Sequence, residues 1–165
     1  MIEKVQRRAT KIVPSLKHLT YPERLKELKI PTLSYRRIRG DMIETFKIMT
    51  GRYDKEVTPN LKIIDPDIPT RGHKYKLSKI RTTTTIRKNF FANRITNIWN
   101  SLPENIISAS NVNTFKNRLD KHWQNQDIVY DYQAALNFKN TKLANPTSSR
   151  MQTDEDDPDL DTQDR

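Results

Sequence analysis

Two short runs place cations beside aromatic rings in a way that suits a polyphosphate strand. Tyr35 is followed by Arg36, Arg37 and Arg39, and Arg87 and Lys88 lead into Phe90 and Phe91. Guanidinium and ammonium groups hold phosphates, while aromatic faces stack on bases. Arg94, Lys116 and Arg118, with Lys121 and His122, stand on the polar faces of the same region. The helical spacing of Tyr35, Phe90 and Phe91 assigns these rings to the core, which leaves the phosphate contacts to the cations. Binding of that kind falls steeply with salt.

Chemistry that makes or breaks bonds finds no comparable support. Two-metal phosphoryl transfer needs carboxylates held on a rigid element. The adjacent pair Asp156 and Asp157 lies instead in TDEDDPDLD, beside a proline and without an apolar strand. The same run lacks the central glycine and closing glutamate of a calcium loop. His18, His73 and His122 show neither metal-ligand spacing nor a nucleophile partner. Three glycines cannot build a phosphate-cradling loop, and the absence of cysteine excludes thiolate chemistry and sulfur-ligated zinc. The expectation is a binding protein with no catalytic residue, no metal and no cofactor.

Composition agrees with a basic, lean chain. Of 165 residues, 34% are apolar and 30% charged, and the net charge is +10. The charge is unevenly spread, because residues 1–126 carry 26 Lys and Arg against 11 Asp and Glu, whereas 127–165 carry 4 against 9. A basic body with an acidic tail favours polyanionic partners and says nothing about fold. No apolar run approaches the ~20 residues of a membrane helix, and charges at Glu3, Lys4, Arg7 and Arg8 replace a signal-peptide core. A soluble, non-secreted chain without membrane contact is expected.

The elements that must position these residues are helical. Residues 2–13 place Ile2, Val5, Ala9, Ile12 and Val13 on one face, and Pro14 closes the helix. Thr20 and Glu23 form a capping box for a second helix, which stops at Ile30-Pro31. Thr32 caps the longest helix, whose inward stripe is Leu33, Tyr35, Ile38, Met42, Ile43, Phe46 and Met49 and whose end is marked by Gly51. Gly40 within it points to a close crossing or a bend. After an irregular connection from Arg52 to Arg71, the β-branched run around TTTTI predicts a short strand or hairpin between Tyr75 and Ile86.

The organising stretch follows. Phe90, Phe91, Ile95, Ile98, Trp99 and Leu102 form one helical stripe ended by Pro103. Ser110 or Asn111 caps a further helix with Val112, Phe115, Leu119 and Trp123 inward, and the two stripes should pack together. The fold class is therefore mainly α: a small helical domain over 1–126 with the short hairpin, one more helix over 127–142, and a disordered acidic tail over 143–165.

Taken in order, IEKVQRRATKIVPSLKHLTYPERLKELKIPTLSYRRIRGDMIETFKIMTGRYD, TRGHKYKL and IRKNFFANRITNIWNSLPENIISASNVNTFKNRLDKHW resemble one known segment. It is the region following the reverse-transcriptase domain in non-LTR (LINE-type) retrotransposons of the jockey-like group. The likeness covers about residues 2–123. It implies a parent polyprotein with an endonuclease and an RNA-directed DNA polymerase, in which this region helps hold template RNA or target DNA. The polymerase's aromatic-x-Asp-Asp metal motif has no counterpart in this sequence, so no catalytic residue carries over.

Three functional readings follow. The first is a noncatalytic fragment that binds RNA or DNA largely without regard to sequence, through Arg36, Arg37, Arg39, Arg87, Lys88, Arg94, Lys116 and Arg118. The second is an interaction module whose long-helix and Phe90–Trp99 stripes dock on a reverse-transcriptase domain, which predicts a large exposed apolar patch. The third treats PERLKELKIPTLSYRRIRG as a helix-turn-helix with Tyr35–Arg39 entering the major groove.

Overall fold

Seven α-helices form among the described residues, which in this computed structural model are 3–54, 56–65 and 72–137. They are α1 (Glu3–Lys11), α2 (Tyr21–Leu28), α3 (Leu33–Met49), α4 (Thr85–Asn89), α5 (Phe91–Ser101), α6 (Glu104–Ile107) and α7 (Val112–Trp123), with 3-10 turns at Pro14–Leu16 and Asp127–Val129. The local signals explain most of the boundaries. The Glu23 carboxylate accepts from both the backbone N–H and the hydroxyl of Thr20, each at 2.7 Å, and starts α2. Thr32 Oγ1 accepts from Tyr35 N–H at the head of α3, and Asn111 Oδ1 accepts from Thr114 N–H at the head of α7. Gly51 adopts the left-handed conformation just beyond α3, at φ 66°.

Helix α3 is the hub. Its Met42 and Phe46 are fully buried against Ile95 and Trp99 of α5 and against Phe115 and Leu119 of α7. Phe46 stacks on Phe115 at 4.3 Å between ring centroids, and Trp99 lies 6.2 Å from Phe115. Tyr35, near the start of α3, meets Trp123 at the end of α7 edge-on, so these two helices run antiparallel. Gly40 marks no close crossing, since a Cβ there would meet nothing within 4 Å.

Several expectations need correction. The apolar side of α1 faces outward: Val5 is 71% and Ile12 76% exposed. The polar side is the docked one, because the neighbouring elements offer polar groups that need partners. Glu3 accepts from the Tyr21 hydroxyl at 2.7 Å and from Ser34 N–H at 2.8 Å, the Gln6 amide donates to the Pro31 carbonyl, and Thr10 accepts from the buried Arg24.

No hairpin forms within Tyr75–Ile86. Instead Leu77 pairs with Ile63 across an isolated antiparallel bridge, with Ile64 N–H donating to Lys76 O and Ser78 N–H to Lys62 O. Thr85 and Ile86 open a helix rather than a strand. The Phe90–Leu102 stripe lies on α5 only from Phe91, with Phe90 and Leu102 as the flanking caps. The backbone turns extended at Phe90, ψ 146°, and separates α4 from α5.

The helix expected over 127–142 is also absent from its described part. Residues 127–137 hold the 3-10 turn and further turns, while 138–142 and the tail over 143–165 lie outside the described residues. That segment nonetheless belongs to the body. Ile128 is buried, and its carbonyl and that of Val129 accept from the hydroxyl and N–H of Thr32 at 2.6 and 2.8 Å. The domain therefore extends past residue 126, because the cap of α3 is completed from the far end of the chain.

Candidate nucleic-acid interface

The eight cations singled out by sequence fall into three groups. Arg39 and Arg94 are ion-paired. Arg39 grips both oxygens of Asp120 through Nε and Nη2, tying α3 to α7, and Arg94 grips both oxygens of Asp41 at 2.8 Å, tying α3 to α5. Each carboxylate partner holds its guanidinium pKa above the ordinary arginine value. These two arginines are structural struts whose charge is already answered.

Arg36, Arg37, Arg87 and Lys88 form the second group. All four are exposed, and none has a carboxylate partner among the described residues. Helices α3 and α5 run in the same direction, since Arg94 meets Asp41 and, further along both helices, Trp99 and Phe46 converge on Phe115. Arg37 precedes Asp41 by one turn and so lies on the same side of α3 as the carboxylate that meets α5.

The third group sits on α7. Lys116 turns toward Glu44 of α3, whereas Arg118 leans the other way and donates to the Asn105 carbonyl at 2.5 Å. Arg118 lines an open groove between α6 and α7 with Asn105, Ile106, Ser108, Lys121 and His122. The eight residues therefore do not share one face.

No family model matches this chain, and neither does any curated protein or solved structure with which it was compared.

Two features of the site went unread in the sequence. Between Asp67 and Glu104 the chain has no carboxylate and eight Lys or Arg. That signal was available from a running charge count. The second is the exposure of Phe90, 61%, against the burial its spacing implied. Tyr35 is in the core as expected, and Phe91 is partly buried against it beneath the Arg94 guanidinium, 5.5 Å from the ring centroid.

A polar clamp steadies the acid-free segment against α5. Asn100 accepts from Leu77 N–H and donates to Leu77 O, both at 2.8 Å, as a neighbouring strand would. Trp99 Nε1 donates to the Tyr75 carbonyl at 2.8 Å. Behind them His73 is fully buried, with Nε2 3.1 Å from the Trp99 carbonyl. The clamp fixes Lys74 and Lys76 onto the α5 side of the molecule.

Proposed function

We propose that this chain is a noncatalytic nucleic-acid-binding module, related to the region that follows the polymerase in jockey-like retrotransposons. It holds RNA or DNA through phosphate contacts, largely without regard to sequence. The observation that carries the reading is the set of exposed cations on α3 and α4 without carboxylate partners among the described residues, Arg36, Arg37, Arg87 and Lys88. An unneutralised cation releases a phosphate counterion when it binds, and an ion-paired one does not.

That contrast supplies the experiment. Retention of single-stranded RNA and of duplex DNA is measured across a salt series for the wild type, for Arg36→Ala/Arg37→Ala/Arg87→Ala/Lys88→Ala, and for Arg39→Met. The fourfold variant is expected to lose about 0.7 to 0.9 in log–log salt slope per contact removed, while Arg39→Met keeps the wild-type slope and loses thermal stability. Absence of binding at low salt, or binding indifferent to salt, overturns the reading.

A second reading is favoured by one observation, the outward Val5 and Ala9 of α1 with Ile12 just beyond it, a face suited to another protein surface such as a reverse-transcriptase domain. The stripes of α3 and α5, proposed from sequence for that role, are occupied by each other and by α7. The helix-turn-helix reading gains no support from the fold, because α5 and α7 flank α3 and Glu44 lies in its remaining solvent-facing strip. No described helix is long and apolar enough to cross a membrane.

A further inference from the structure

The corner where α4 meets α5 carries an arrangement that phosphate binding alone does not require. Ile86 and Phe90, one turn apart, are 78% and 61% exposed, and every residue from Thr83 to Phe90 is exposed. Exposed Phe and Ile side chains add little to a fold, which leaves this pair available to a partner.

The corner is rigid because α5 caps it from below. The Asn93 amide donates to the Arg87 carbonyl at 2.6 Å, and Arg94 Nη1 donates to the Asn89 carbonyl at 3.0 Å, so side chains of α5 satisfy the open end of α4. The Phe90 carbonyl accepts from both Asn93 and Arg94 N–H at 3.0 Å. Arg94 is in turn locked to Asp41. The backbone carrying the Phe90 ring is thus held before any partner arrives, which removes an ordering cost from binding.

Charge identifies the partner's class. Arg87 and Lys88 stand on α4 between Ile86 and Phe90, the exposed Thr83 and Thr85 neighbour them in sequence, and the surrounding chain has no acid from Ile68 to Pro103. A preorganised aromatic face beside cations and hydroxyl donors matches a base and its flanking phosphates.

We propose that the α4–α5 corner is a stacking platform for single-stranded nucleic acid, with an unpaired base on the Phe90 ring and the adjoining phosphates on Arg87 and Lys88. This rests on the nucleic-acid reading above and sharpens it: bases within a duplex are already stacked and offer no free face, so the site prefers single strands.

The test uses the full chain, a pyrimidine octanucleotide, a blunt duplex of equal charge, and heparin as a polyanion without bases. Phe90→Ala should weaken octanucleotide binding roughly tenfold or more, within the range of one base–aromatic stack, with the salt slope unchanged. Its duplex and heparin affinities should stay at the wild-type level. Phe90→Trp should retain binding and show quenching of the new indole on adding the octanucleotide, against the two native tryptophans, which are buried.

Wild-type affinity in Phe90→Ala overturns the platform while leaving the nucleic-acid reading in place. Equal losses on octanucleotide, duplex and heparin overturn it too, because they would mark a general effect on the fold or on charge. A wild type that binds none of the three overturns both readings together. Binding to heparin with neither nucleic acid bound would transfer the site to an acidic non-nucleic partner.

Discussion

His73 shows how much one side chain can commit to the fold. The Trp99 carbonyl can only accept, so Nε2 carries the proton and Nδ1 remains a buried acceptor with no hydrogen-bond partner among the described residues. Burial pushes the His73 pKa below the usual imidazole value, against a smaller opposing pull from the Trp99 hydrogen bond. The unfolded chain takes up a proton near pH 6.5 that the folded chain refuses, so the stabilisation is complete above that pH and is lost as pH falls below it. Melting temperature is therefore expected to drop between pH 7 and pH 5. His73→Gln, which keeps a donor toward the carbonyl but cannot titrate, is expected to flatten that dependence. An unchanged slope in the variant would assign the effect to other groups.

At the scale of elements, α1 is docked by hydrogen bonds and not by its apolar stripe, and this inverts the usual mutational pattern. Val5→Lys and Ile12→Lys are expected to change unfolding free energy by no more than about 0.5 kcal/mol, as surface substitutions do. Arg24→Ala is expected to cost about 1.5 to 3 kcal/mol. It removes a buried guanidinium that donates to Thr10 and to the Leu19 carbonyl and lies 5.9 Å from the Tyr21 ring centroid. Chemical denaturation of the three variants checks the ordering. The inversion was illegible because periodicity locates an apolar face without saying which face finds a partner. The helix itself was legible, as were the cap at Thr32 and, as one of two candidates with Ser110, the cap at Asn111, since those signals act within a few residues. The break at Phe90 was not, because no proline or glycine marks it.

For the whole molecule, the contacts that decide the surface connect residues far apart in sequence. Arg94 reaches Asp41 across 53 positions and Arg39 reaches Asp120 across 81. Nothing local distinguishes these two arginines from Arg36 and Arg37, which keep their charge for solvent, so the division into struts and candidate contacts became visible only in three dimensions. The same holds for the domain edge, where composition indicated 126 and the packing of Ile128 extends it. A chain ending at Gln126 is accordingly expected to be several kcal/mol less stable than one ending at Asn137. It loses a core isoleucine and both long-range partners of Thr32. Comparison of their urea midpoints checks this.

The bond from Thr32 to Ile128 also sets a timetable for biosynthesis, because it joins residues 96 positions apart. At roughly 5–20 residues per second, the head of α3 waits on the order of 5–20 s for the carbonyl that completes its cap. For most of that interval Met42 and Phe46 stand without Phe115 and Leu119. The nascent chain passes through a sticky stage that its finished surface conceals, and slower translation past residue 50 lengthens its exposure to chaperones and to aggregation.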